Sequence, residues 1–215
     1  MFQMDTSLSS LSNITAQGMA RLKLTYSYVF LGLIMAIVGA SIGVSSPDVI
    51  KGGVFLGLVI LEFVVLFWFM YSKNIPSYVL FTLITGLTLA PVLNHLIGTG
   101  QSNVILQAFL GTAVVVGGLT LYTLTTKHNF MKYSTILFWI LVALVVVSII
   151  NIFLGSSIFS LIISYITVVL FSFYIIVNTQ EVLYTDIDPL LAALGIYLDI
   201  LNIFVALLNI LSDRD

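Results

Sequence analysis

Long apolar stretches alternate with short polar breaks along almost the whole chain. Apolar runs occupy about residues 25–44, 54–71, 78–96, 104–124, 134–153, 158–182 and 190–211. A helix needs about 20 residues to cross a 30 Å hydrocarbon core, so each run reads as one membrane span. The pattern predicts an all-α membrane protein of seven transmembrane helices. Residues 1–24 are rich in Ser, Thr, Asn and Gln and lack the apolar core of a cleavable signal, so they read as a polar N-terminal tail. The transmembrane domain is then 25–211, followed by a short C-terminal tail, 212–215.

The polar positions inside these runs carry the information. In the seventh span Gly195, Asp199, Asn202, Ala206 and Asn209 recur at spacings of four, three, four and three. They form one helical stripe among large apolar residues, which predicts a helix near the centre of a bundle with its stripe turned inward. In the sixth span Ser160, Ser164, Thr167, Phe171, Tyr174, Asn178 and Glu181 also share a face. A short loop joins the two spans, so they pack antiparallel. Asn178 lies about 8 Å from the end of its helix and Asp199 about 14 Å from the start of its own, and a modest stagger brings them together.

Asp199 is the costly residue. A carboxylate at the centre of a spanning helix costs about 2.5–3.5 kcal/mol on insertion scales, so it must face protein or water and marks a functional position. Glu62, near the middle of the second span, fits either a pathway or a protonated, hydrogen-bonding strut. Asn202, Asn209, Ser160, Ser164 and Thr167 suit bonds within and between helices, which contribute about 0.6 kcal/mol each, with Asn202 also a secondary candidate for the gate around Asp199. His95 falls at a span end, where an interfacial histidine is ordinary. Gly32, Ala36, Gly39 and Gly43 form a small-residue face on the first span, a packing seam rather than a ligand site. Gln107, Gly111 and Gly118 share a face of the fourth, and Pro91 is expected to kink the third.

Composition supports this reading. Of 215 residues 60% are hydrophobic and 7% charged, far below the about 25% of a soluble domain. No basic cluster suggests nucleic acid as a partner. The chain has no cysteine, hence no disulfide or thiolate metal site. No cofactor is called for. With no acidic ring in the spans, any calcium near Asp199 is transient rather than held in a stable metal site. Arg21, Lys23, Lys73, Lys127 and Lys132 fall on one side of a seven-span topology, Lys51 and Arg214 on the other. That asymmetry places the N-terminus in the cytoplasm.

Several chemistries are set aside. No span interior holds a lysine for a retinal Schiff base. No H-E-x-x-H sequence frames a metalloprotease, and a single intramembrane aspartate does not make an aspartyl protease. No G-x-S-x-G frames a nucleophile. No catalytic residue is therefore expected.

Several runs carry a resemblance to a known family. They are Leu61-Glu62, Gly86-Leu87-Thr88-Leu89-Ala90-Pro91, Gln107-Ala108-Phe109, Asn151-Ile152-Phe153, Ser172-Phe173-Tyr174, Asn178-Thr179-Gln180 and Leu194 through Asn202. In order and spacing the chain resembles the Bax inhibitor-1, or transmembrane Bax inhibitor motif, family in its bacterial form. The resemblance implies seven helices with the last one central, and a pH-sensitive calcium leak. It also implies a hydrogen-bonded pair of aspartates as the gate. One maps to Asp199; the other maps to Asn178, where this chain has an amide instead. It implies a basic residue after the second span as well, where only Lys73 stands.

Two adjacent carboxylates share a proton because both cannot ionise cheaply, and an amide does not enter that equilibrium. The expected function is a passive calcium leak channel gated around Asp199, with pH sensing weakened by Asn178. Glu181 is a candidate replacement for the second titrating group. The alternatives are a non-conducting regulator that binds other membrane proteins, and a proton-coupled transporter using Asp199 and Glu62. The short tails and minimal loops suit a bacterial inner membrane.

Overall fold

The computed structural model describes residues 3–47, 50 and 52–213, with side chains from Ala16 onward. Asp48 and Lys51 of the first loop, and Arg214 of the C-terminal tail, lie outside the described residues. Among the described residues seven α-helices follow in order: α1 Gln3–Ser45, α2 Gly52–Ser72, α3 Ile75–Gly98, α4 Ser102–Thr125, α5 Ser134–Leu154, α6 Ser157–Tyr184 and α7 Pro189–Ser212. All seven are long and apolar enough to cross a membrane, the first over Ala16–Ser45. The seven expected spans are present, each extended by a few residues.

The largest extension is at the N-terminus. The polar stretch expected as a tail is helical from Gln3 and continuous with the first span. No Gly or Pro interrupts it before Gly18, and adding residues to an existing helix is far easier than nucleating one. Its inner end is docked rather than free. Gly18 lies so close to α6 that a Cβ there would fall on the Leu183 carbonyl, and Leu22 is buried with Val182 and Leu183. Arg21 pairs with Asp186 of the α6–α7 loop at 2.9 Å.

The helix boundaries follow local chemistry. Asn74 caps α3 by accepting from Ser77 N, and Ile75-Pro76 opens the helix where a proline costs no bond. Asp188 caps α7 by accepting from Leu190 N and Leu191 N, with Pro189 in the first position. Gly155 ends α5 in the left-handed region at φ 62°, which only glycine adopts without penalty. Ser156 then caps α6. Pro91 lies inside α3, which continues through it to Gly98.

α7 is the central helix. It buries twelve residues, whereas α2 and α5 bury two each. It packs against α6, α4, α1 and α3, while α2 leans on α3 and α5 on α6. Ile196, Tyr197, Ile200 and Ile203 of α7 meet Val29, Phe69, Tyr78, Phe81 and Ile175 in the main core. The small-residue face of α1 packs on α3. A Cβ on Gly39 would fall on Leu83 O, one on Gly86 of α3 on Ala36 O, and one on Gly43 on Ala90 Cβ. Glycines on both helices thus allow backbone-to-backbone approach, which is how helices gain attraction where no hydrophobic effect separates them from lipid. The Gln107 stripe behaves differently. Gly111 touches Leu207 of α7, but Gln107 and Gly118 are exposed, because Val104, Ala108 and Thr112 form the buried face and the stripe lies at its edge.

This seam makes a paired prediction. Gly86→Ala drives a methyl into Ala36 O and should destabilise the protein by about 1–3 kcal/mol. Gly57, on α2, faces open space, and a Cβ there would meet nothing within 4 Å. Gly57→Ala should leave stability unchanged or raise it by up to about 1 kcal/mol. Thermal melting in detergent distinguishes the two.

Candidate functional site

Asn178 and Asp199 meet across the α6–α7 interface. Asn178 Nδ2 donates to Asp199 Oδ2 at 2.6 Å, and Asp199 is 4% exposed. Asn178 lies six residues before the end of α6 and Asp199 ten after the start of α7, about 9 and 15 Å along their axes. Side-chain reach and the stagger allowed by the Thr185–Asp188 connection take up the difference. Gly195, one turn before Asp199, faces the same side chain: a Cβ there would lie 3.5 Å from Asn178 Nδ2, an ordinary contact. At 2.6 Å the bond is shorter than an ordinary N–H···O contact.

The tripeptide Asn178-Thr179-Gln180 sends its side chains to three different neighbours, because successive helical residues are turned by about 100°. Asn178 reaches α7. The Tyr26 hydroxyl of α1 bonds Thr179 Oγ1 at 3.1 Å and Thr120 Oγ1 of α4 at 2.8 Å. Gln180, 2% exposed, accepts from Phe130 N and donates through Nε2 to His128 O, both at 2.7 Å. One turn of α6 therefore joins α7, α1, α4 and the α4–α5 loop. Tyr26 and Tyr174 both lie within electrostatic reach of Asp199.

The other residues singled out from the pattern have separate places. Asn202 donates to Leu198 O of its own helix and leaves Asp199 alone. Asn209 donates to Ser160 Oγ at 3.0 Å and Ser164 Oγ at 2.8 Å, a second strut between α6 and α7. Thr167 bonds back to Ile163 O. Glu181 is half-buried on α6, and the hydrogen bond described for Asp199 comes from Asn178, not from Glu181. His95 is exposed in the last turn of α3. Lys73 ends α2 with its N–H on Phe69 O, in the left-handed region at φ 45°.

Glu62 belongs to another cluster. Thr88 Oγ1 of α3 lies 2.8 Å from Glu62 Oε2 and 2.9 Å from Thr85 O. One hydroxyl has one proton, so Thr88 donates either to an ionised Glu62 or to Thr85 O. In the second case a protonated Glu62 donates to Thr88. The site accommodates both forms. Among the described residues no three His, Asp or Glu side chains come together as a metal site.

Tyr26 and Thr120 carry no signal in the pattern of the spans. A tyrosine near a span end reads as an interfacial anchor, and a threonine reads as bonding its own helix, as Thr120 also does to Val116 O. Gln180 stands within a run that carries the family resemblance, but no spacing rule indicates a loop as its target.

Removing the amide should matter more than removing its neighbour. Asn178→Ala leaves a buried carboxyl without its donor and should cost about 1–3 kcal/mol in a detergent melt. Asn202→Ala removes only a bond within one helix and should cost below about 1 kcal/mol.

Comparison with known proteins bears on this geometry. The sequence model of the family described as Inhibitor of apoptosis-promoting Bax1 matches residues 18–215. An uncharacterized protein of Helicobacter pylori strain J99 is 36% identical over 202 residues, covering 90% of this chain and 87% of its own. An uncharacterized protein of Campylobacter jejuni is 35% identical over 200 residues, 88% of this chain and 87% of its own. An uncharacterized membrane protein of Vibrio cholerae is 33% identical over 143 residues, 66% of this chain and 64% of its own.

Proposed function

The chain belongs to the Bax inhibitor-1 family, a multi-pass membrane protein, and from that footing we propose that it is a passive cation leak gated at the Asn178–Asp199 contact. The ion is calcium and the protein is not an enzyme. The observation that carries this reading is the 2.6 Å bond from an amide to a carboxyl buried between two spans. A lone carboxyl group in a low-dielectric bundle attracts a cation strongly once its donor withdraws. It offers two oxygens where calcium takes six to eight, so it is a waypoint and not a resting site.

The contact tolerates either protonation state. Ionised Asp199 accepts from the amide N–H. Protonated Asp199 donates its O–H to the amide oxygen once the amide turns over. Two facing carboxylates lack this tolerance, since they bond through a shared proton and repel when both are ionised. The gate in this chain therefore responds weakly to pH, and its α6–α7 contact persists where a two-carboxylate pair separates. The bacterial relatives and the excess of Lys and Arg on one side support an inner-membrane protein with a cytoplasmic N-terminus.

Calcium flux into proteoliposomes at pH 5–8 tests the reading. The parent should conduct with a shallow pH profile. Asn178→Asp should steepen it, and Asp199→Asn should change the flux at every pH. An unchanged profile in Asn178→Asp rejects the pair as the pH-setting element. Saturable uptake driven by a proton gradient would favour a proton-coupled transporter, and purified protein that carries no ion would favour a non-conducting regulator of membrane proteins.

A further inference from the structure

Two cavities share His128 in their walls. The lower is an apolar groove of about 900 Å³ between α4, α5 and α6, lined among others by Tyr122, Tyr133, Ile140, Ile166 and Phe173. The upper, about 420 Å³, lies at the α4–α5 loop, lined by Lys127, His128, Asn129 and Gln180 among others. An apolar groove that shares a wall residue with a pocket carrying Lys127 at a span end has the division of an amphiphile: tail below, anionic head above.

Charge and length identify the occupant. Lys127 and Asn129 are exposed on the upper cavity; Lys132 lines neither cavity but holds its ammonium 4.9 Å over the ring of Tyr133, a residue of the groove wall. Among the described residues the only ion pair is Arg21–Asp186, so neither lysine is neutralised by a carboxylate. Glu181 is the one acid on α4, α5, α6 or the intervening loop, and it lines neither cavity. From Gln180, which bonds the loop, down to Tyr165 at the far end of the groove is fifteen residues of α6. That is about 22 Å, more than the about 15 Å depth of one leaflet. A full acyl chain therefore fits beneath a headgroup held at the lysines. Gln180 keeps the loop in place through both halves of its amide, so the upper cavity is preformed rather than made by the ligand.

We propose that this composite cavity is a binding site for one anionic glycerophospholipid of the surrounding bilayer, with its phosphate at Lys127 and Lys132 and one acyl chain in the α4–α5–α6 groove. The site is separate from the Asn178–Asp199 contact and stands whether or not the protein conducts. Gln180 nevertheless lies two residues from Asn178, so a lipid that steadies the loop also steadies the turn of α6 that carries the contact.

Native mass spectrometry of the purified full chain in detergent, titrated with phosphatidylglycerol or phosphatidylcholine of matched chains, tests this directly. One phosphatidylglycerol should be retained in preference to phosphatidylcholine. Lys127→Gln and Lys132→Gln should each weaken that retention by about fivefold. The double variant should bind both lipids alike, with an unchanged melting temperature in lipid-free detergent because both lysines are exposed. Ile166→Trp, which fills the groove, should lose the bound lipid of either kind. Equal retention of the two lipids by the parent, or an undiminished phosphatidylglycerol preference in the double variant, would overturn the proposal. Displacement of the lipid by soluble glycerol phosphate would overturn it in favour of a free phosphate ligand.

Discussion

A carboxyl group carried into the middle of a lipid-soluble bundle requires a donor, and the donor must come from another helix. Asp199 is almost wholly buried on α7, and Asn178 of α6 supplies that donor. Much else in the fold follows. α7 has to be surrounded, so the outer helices α2 and α5 are left to face lipid. α6 has to be its neighbour over most of its length, and Asn209 with Ser160 and Ser164 fastens the far end of the same pair. The turn of α6 that presents Asn178 is also held from the other side, by Tyr26 through Thr179 and by the α4–α5 loop through Gln180.

The α1–α3 seam solves a different problem. In lipid, apolar side chains gain little by turning from one apolar neighbour to another, so helices adhere through close packing. Gly39 and Gly86 let each helix rest on the other's backbone. From Gly18 to Gly43 α1 is thereby anchored, on α3 through this seam and on α6 through Gly18 and Leu22, which brings Tyr26 to the neighbourhood of Asp199.

Much of this was legible in the sequence, and the reasons differ by feature. The spans were visible because spanning helices need long apolar runs. Asp199 stood out because a carboxyl group inside such a run has few explanations, and Asn178 was paired with it from two helical stripes joined by a short loop. The face of α1 was legible as a seam, but small residues announce a close approach without naming the partner, so α3 had to come from the structure. The stripe on α7 overstated its unity: Asn202 lies on it yet bonds its own helix, since an asparagine inside a span satisfies itself on the nearest carbonyl as readily as on a neighbour. The helical continuation of α1 into the polar N-terminal stretch was not legible because polarity speaks of solvent and not of backbone conformation. The Gln180 clamp was hidden because its partners are backbone atoms of a loop, which no side-chain pattern records.

The central claim is that the amide–carboxyl contact holds α6 and α7 together across the range in which a carboxylate pair would part. Its most direct test is the separation of the two helices as a function of pH. The chain has no cysteine, so labels introduced by Phe173→Cys on α6 and Val205→Cys on α7, both exposed and each within two turns of the contact, report alone. Pulsed electron–electron double resonance in liposomes should give the same distance distribution at pH 5 and pH 8, and a pH-dependent one when Asn178→Asp is added. A parent distribution that shifts with pH as far as that of the Asn178→Asp variant would contradict the account.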